Sequence, residues 1–189
     1  MKARAVKGLD PRTPLAQNAE RIVRVRLDEL TGFMPAAATD TRALHDMRIA
    51  AKRLRYVLEL FHPSFGPYAK TAIKHLKAMQ DVLGEIHDAD VHLPEVAAML
   101  DELVARGAAA AHGEPEALRR APGHRAYSGL VALQVQIRGR RAALLEDFLT
   151  LWEGLERKGF RARLEFALTE RSQPVHGQGP GGAMMPSTP

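Results

Sequence analysis

The chain has 189 residues, 46% of them hydrophobic and 26% charged, enough for one domain with a real core and too few for two comfortable ones. It has no cysteine, which excludes a disulfide framework and thiolate chemistry and fits a reducing cytoplasm. A net charge of +5 and a pI near 9.8 favour an anionic partner, so placement of the charge becomes the question. The basic N-terminus is followed by no apolar run of signal-peptide kind, and no apolar stretch is long enough to span a bilayer, so the expectation is a protein without a membrane segment.

Apolar residues recur at i, i+3, i+4 and i+7 almost throughout, with little strand-like alternation, which predicts an all-α fold of about six helices. A first helix is expected from Thr13 as N-cap, with Pro14 at its first position, to Thr31 before Gly32. Asp40 caps a second that stops near Phe61 ahead of Pro63. A third runs from Pro67 to Leu83 with Gly84 as terminator, and Asp88 or Asp90 caps a fourth that ends at Gly107. Residues 107–123 are rich in Ala, Gly and Pro and are expected to connect. A fifth helix covers Ala126 to Trp152, and a sixth segment, 153–171, breaks or kinks at Gly159. Residues 1–171 thus form one helical domain, and the Gly/Pro-rich residues 172–189 are expected to be a disordered tail.

Projected at about 100° per residue, the second helix places Leu44, Met47, Ala51, Leu54 and Leu58 on a core face. His45, Arg48, Lys52 and Arg55 fall on a second stripe, joined only by Glu59, with Arg42 and Arg53 to the other side. On the third helix Lys70, Lys74 and Lys77 share a face with Asp81. Stacked like charges cost a helix roughly a few tenths of a kcal/mol per pair, a sign that a bound anion would reverse. The bland alternative for each stripe is the solvated side of an amphipathic helix.

Two arginines interrupt apolar stripes: Arg26 in the line of Leu15, Ala19, Ile22 and Leu30, and Arg141 in the line of Leu130, Ile137, Leu144 and Phe148, with Arg138 at its edge. Each must meet a carboxylate, Glu29 or Asp81 for instance, or snorkel past the core, or line a wet groove that takes an anion. The groove is the favoured reading for Arg141, and Arg26 stays open between groove and Glu29.

No Gly-rich phosphate loop precedes a helix, no nucleophile and base are suggested by spacing, and no paired carboxylates stand out, so no enzyme is expected and no cofactor is implied. His87, Asp88, Asp90 and His92 are the nearest approach to a metal set, but both aspartates read better as helix caps, and no metal is expected.

The run Ala43-Leu44-His45-Asp46-Met47-Arg48-Ile49-Ala50-Ala51-Lys52-Arg53-Leu54-Arg55-Tyr56, with Leu76 to Val91 including Leu83-Gly84 and Asp88-Ala89-Asp90-Val91, resembles the CHAD family, the conserved histidine α-helical domains. Val6 to Leu30 also looks like that family's opening segment. The resemblance implies a helical bundle whose basic groove binds inorganic polyphosphate, without catalysis, in a cytoplasmic protein that associates in some members with polyphosphate granules. It carries His45, Arg48, Lys52, Arg53, Arg55 and Lys77 over as ligands; Lys70, Lys74, Arg26, Arg138 and Arg141 rest on helical projection alone. The family commonly has two tandem copies of the His-x-x-Arg unit, and this chain shows one. Either Arg138, Arg140, Arg141, Arg161 and Arg163 supply the missing lining, or a homodimer does. Nucleic acid is the disfavoured partner, because aromatics are 5% of the chain and most fall on core faces; service as accessory to a triphosphatase or another polyphosphate-metabolising enzyme is a further alternative.

Overall fold

The computed structural model describes residues 2–33, 40–111 and 124–170, and among these every regular element is helical. Five α-helices follow in order: α1 (Leu15–Thr31), α2 (Thr41–Phe61), α3 (Tyr68–Ala111), α4 (His124–Arg157) and α5 (Phe160–Thr169), with a 3-10 turn, His62–Ser64, between α2 and α3. No helix among the described residues is long and apolar enough to cross a membrane.

The count falls from about six to five because the expected third and fourth helices are one helix of 44 residues. Gly84 does not terminate it, Asp88 and Asp90 cap nothing, and Pro94 lies inside it. A proline in a helix interior costs about 3 kcal/mol and a glycine about 1 kcal/mol. Against that, Leu83, Ile86, Ala89, Val96 and Leu100 continue the apolar periodicity without a break and are all buried, so packing outweighs both. The expected connector therefore begins later: Gly107 and Ala111 are buried within α3. Residues 112–123 and the expected tail at 172–189 lie outside the described residues.

Other boundaries follow local chemistry. Asp40 caps α2, its side chain accepting from the Arg42 N–H. At α1 the cap position belongs to Pro14, while the Thr13 hydroxyl donates to the Asp10 carbonyl and caps nothing. Gly159 breaks the last helical stretch in two: its φ of 65° is the left-handed region that glycine enters without strain, and α5 turns back from it. One core cluster joins Val23, Leu27, Leu54, Leu58, Leu76 and Met79 to Phe148, Trp152, Leu164 and Leu168, so all five helices meet there. Within this cluster α3 contributes nothing past Ile86 and α4 nothing before Leu144.

Candidate polyanion groove

Helices α2 and α3 run antiparallel, and three pairings set their register. The His45 and His87 rings lie 4.8 Å apart between centroids. Arg48 Nε passes 3.9 Å from where a Cβ on Gly84 would sit. Arg48, Lys52, Arg55 and Tyr56 line a cavity of about 220 Å³ together with Gln80 and Asp81. Toward the start of α2 the same seam opens into a cavity of about 430 Å³ lined by Asp40, Thr41, Arg42, His45, His87, Asp90 and Val91. The basic stripe of α2 therefore faces a seam between two helices.

Within the smaller cavity the charge is unevenly compensated. Arg55 pairs with Glu59 at 3.0 Å, while neither Arg48 nor Lys52 forms an ion pair among the described residues. Tyr56 collects two cations on its ring, Arg55 Cζ at 4.8 Å and Lys52 Nζ at 5.7 Å from the centroid, which holds both along the stripe. Two buried donors on the lining residues, Arg55 Nε and Gln80 Nε2, have no hydrogen-bond partner, nor has His45 Nδ1 one turn up the helix. A buried donor without an acceptor costs about 1–3 kcal/mol, and these nitrogens have almost no surface open to solvent. The aspartates of the wider cavity are engaged: Asp40 caps α2, and Asp90 holds Arg141 at 2.5 Å.

Lys70, Lys74 and Lys77 are exposed on α3. By helical periodicity Lys77 lies one turn before Gln80 and Asp81 on the same edge, with Lys74 and Lys70 continuing that edge toward the start of α3. Arg53 does not join the seam. It lies on the α1 flank, where its charge acts on Glu29.

Both stripe-interrupting arginines form ion pairs. Arg26 Nη1 meets the buried Glu29 at 2.7 Å and Nη2 donates to the Arg4 carbonyl at 3.1 Å. Burial pushes the Glu29 carboxyl up, but the Arg4 N–H, the Arg26 hydrogen bond and the charges of Arg26 and Arg53 hold it below the usual carboxylate range. Arg141 bonds Asp90 and the Thr41 hydroxyl, tying α4 to α3 and to the start of α2; its partner is Asp90, not Asp81. In this structure both therefore have a pairing role, the alternative left open for Arg26 and the less favoured one for Arg141. Of the later arginines, Arg140 pairs with Glu85 at 2.7 Å, Arg161 bonds Asp28, Thr31 and Glu165, and Arg163 lies over Tyr68. Arg138 is exposed on the first half of α4, outside both cavities.

The four-residue set of acids and histidines is dispersed: His87 faces His45, Asp90 holds Arg141, and His92 meets Glu95 at 3.1 Å. Among the described residues no three such side chains converge on a metal position. A further cavity of about 390 Å³, between Thr31, Trp152, Phe160 and Arg161, lies away from the basic stripe.

Gln80 and Tyr56 were not singled out from sequence. Tyr56 follows Lys52 by four residues and Gln80 follows Lys77 by three, spacings that put each on its basic edge.

The sequence profile described as CHAD domain matches residues 2–97, just over half of the chain. The chain belongs to the CHAD family. The CHAD match spans α1, α2 and the part of α3 that carries the seam, and stops before α4 and α5. No curated protein and no solved structure matches this CHAD chain.

Proposed function

We propose that this chain binds inorganic polyphosphate, without catalysis, along the α2–α3 seam. The observation that carries the reading is the cavity where Arg48, Lys52 and Arg55 converge while neither Arg48 nor Lys52 forms an ion pair among the described residues. Membership of the CHAD family supports the ligand class. Arg42 and Lys77 extend the cationic line at either end, so the ligand is a chain of phosphates and not a single anion. His45, with its buried ring nitrogen, is a further donor to phosphate oxygen. A cytoplasmic location with association to polyphosphate granules belongs to the same reading.

Affinity in such a seam arises from charge neutralisation and counterion release. Five contacted phosphates give a log–log salt slope of about −4 to −5 by analogy with duplex DNA, a loss of a few hundredfold between about 50 and 200 mM salt. A titration of long-chain polyphosphate across that range tests this, and a flat response would exclude the seam as a polyphosphate track. Phosphate release with added magnesium separates an enzyme from a binder.

A second reading, single-stranded nucleic acid, is favoured by one observation: Tyr56 is about half exposed between two cations. Base stacking on an aromatic is worth about 1–3 kcal/mol. Tyr56→Leu should leave polyphosphate affinity nearly unchanged; a large loss confined to nucleic acid, with nucleic acid the tighter ligand in wild type, would favour the second reading.

A further inference from the structure

Beyond the seam, α3 and α4 continue as a two-helix arm, residues 91–111 and 124–140, which stands outside the main core cluster. Over about 21 residues at 1.5 Å per residue the arm is roughly 30 Å long. Its packing is one-sided. On α4 no residue from 126 to 143 is buried, although that stretch contains Leu130, Val131, Leu133, Val135 and Ile137. On α3 beyond Val91 the buried residues are Val96, Leu100, Gly107 and Ala111, while Met99 and Val104 are more than half exposed. Tyr127, Leu133 and Val135 are exposed on the facing helix, Val135 at 65%. Helices draw most of their stability from burying an apolar face, and among the described residues part of that face on the arm is uncovered.

We infer that this arm is a self-association surface whose partner is the arm of a second copy of this chain. Charge selects that partner. Within the arm, residues 91–111 of α3 carry three carboxylates and one arginine, whereas residues 124–140 of α4 carry three arginines and no carboxylate. Arg140–Glu85 and Arg141–Asp90 use part of this opposition within the chain. Asp101 and Arg138 in the arm remain exposed and form no ion pair among the described residues. A surface with an acidic helix beside a basic one is complementary to itself across a two-fold axis, which an isologous dimer requires. A uniformly charged arm would have selected a partner of the opposite sign. Two helices about 10 Å wide and roughly 30 Å long offer roughly 600 Å² on each copy. That lies at the low end for specific interfaces, so the dimer dissociates on dilution.

Sedimentation velocity of the full chain over a range of concentrations, without polyphosphate, tests this independently of the seam. The expected result is a mass rising from one chain to two. Met99→Glu combined with Val135→Glu, both at exposed positions, should hold the mass at one chain with unchanged helix content by circular dichroism, and Arg138→Glu should shift the equilibrium the same way. A wild-type chain that stays monomeric at every concentration overturns the proposal, whatever the variants do. So does a folded double variant that dimerises like wild type.

Discussion

In α1 and α4 the arginines that interrupt apolar stripes end on carboxylates, Arg26 on Glu29 and Arg141 on Asp90. In α2 Arg48 and Lys52 face a cavity with no acid bonded to either. Cationic side chains thus have two fates in one bundle, and what separates them is whether a carboxylate is bonded to them. Where a carboxylate bonds it, an arginine serves the fold; Arg48 and Lys52 share their cavity with Asp81 but form no ion pair among the described residues, and the proposed reading gives their field to a ligand. The paired set should therefore govern stability and the unpaired set affinity.

The largest expected departure is Arg26→Leu. It strands a buried carboxylate, and breaking a buried pair costs about 3–5 kcal/mol; the Arg4 N–H and the Arg53 charge remain beside Glu29, so about 3 kcal/mol is expected by urea denaturation, with polyphosphate affinity of the folded fraction unchanged. Lost affinity at full stability would return Arg26 to the ligand set. Next is Arg48→Ala with Lys52→Ala. Each phosphate contact at about 0.1 M salt is worth somewhat under tenfold, so the pair should lower affinity between about tenfold and a hundredfold and flatten the salt slope by about two. Melting temperature should hold or rise as like-charge repulsion falls.

Arg141→Leu should be milder, about 2 kcal/mol, because Asp90 retains some solvent contact and the loss is mainly of charged hydrogen bonds. A variant as stable as wild type with weakened binding would join α4 to the seam. The smallest effect is one of pH. Burial of His75, then the charges of Lys158 and Arg163, lower its pKa below the ordinary histidine value of 6.5. The unfolded chain then binds the proton more readily than the folded one, so this contribution is complete above about pH 6.5 and fades as pH falls toward the lowered value. Denaturation midpoints should drop over that window in wild type and drop less in His75→Gln; identical slopes would remove His75 as the cause.

The stripe on α2 was legible because a basic edge over a strict apolar face survives projection without knowledge of neighbours. Asp40 and Gly159 were legible as punctuation for a similar reason: a cap and a left-handed residue act locally. Gly84 and Asp88 misled because their costs inside a helix, at most about 1 kcal/mol each, are smaller than what continuous burial along α3 returns. Pairing was legible only at short range. Glu29, three residues from Arg26, could be named as a candidate partner, but Asp90 is 51 residues from Arg141, and nothing in the order of residues brings them together. Arg53 shows the limit from the other side, since its motif position matches the family run while its side chain looks toward α1.

The left-handed turn at Gly159 has a consequence for the order in which the chain can fold during synthesis. It sends α5 back across the oldest part of the molecule: Arg161 bonds Asp28 and Thr31 of α1, and the Ala167 carbonyl accepts from the Gly66 N–H just before α3. Leu164 and Leu168 fill the same cluster as Val23 and Leu27. Contacts of such high sequence separation close late, so a nascent chain that has already emitted its whole basic seam still shows an uncovered apolar flank. That flank is covered only once α5 has been made, and apolar surface left open until then is prone to aggregation.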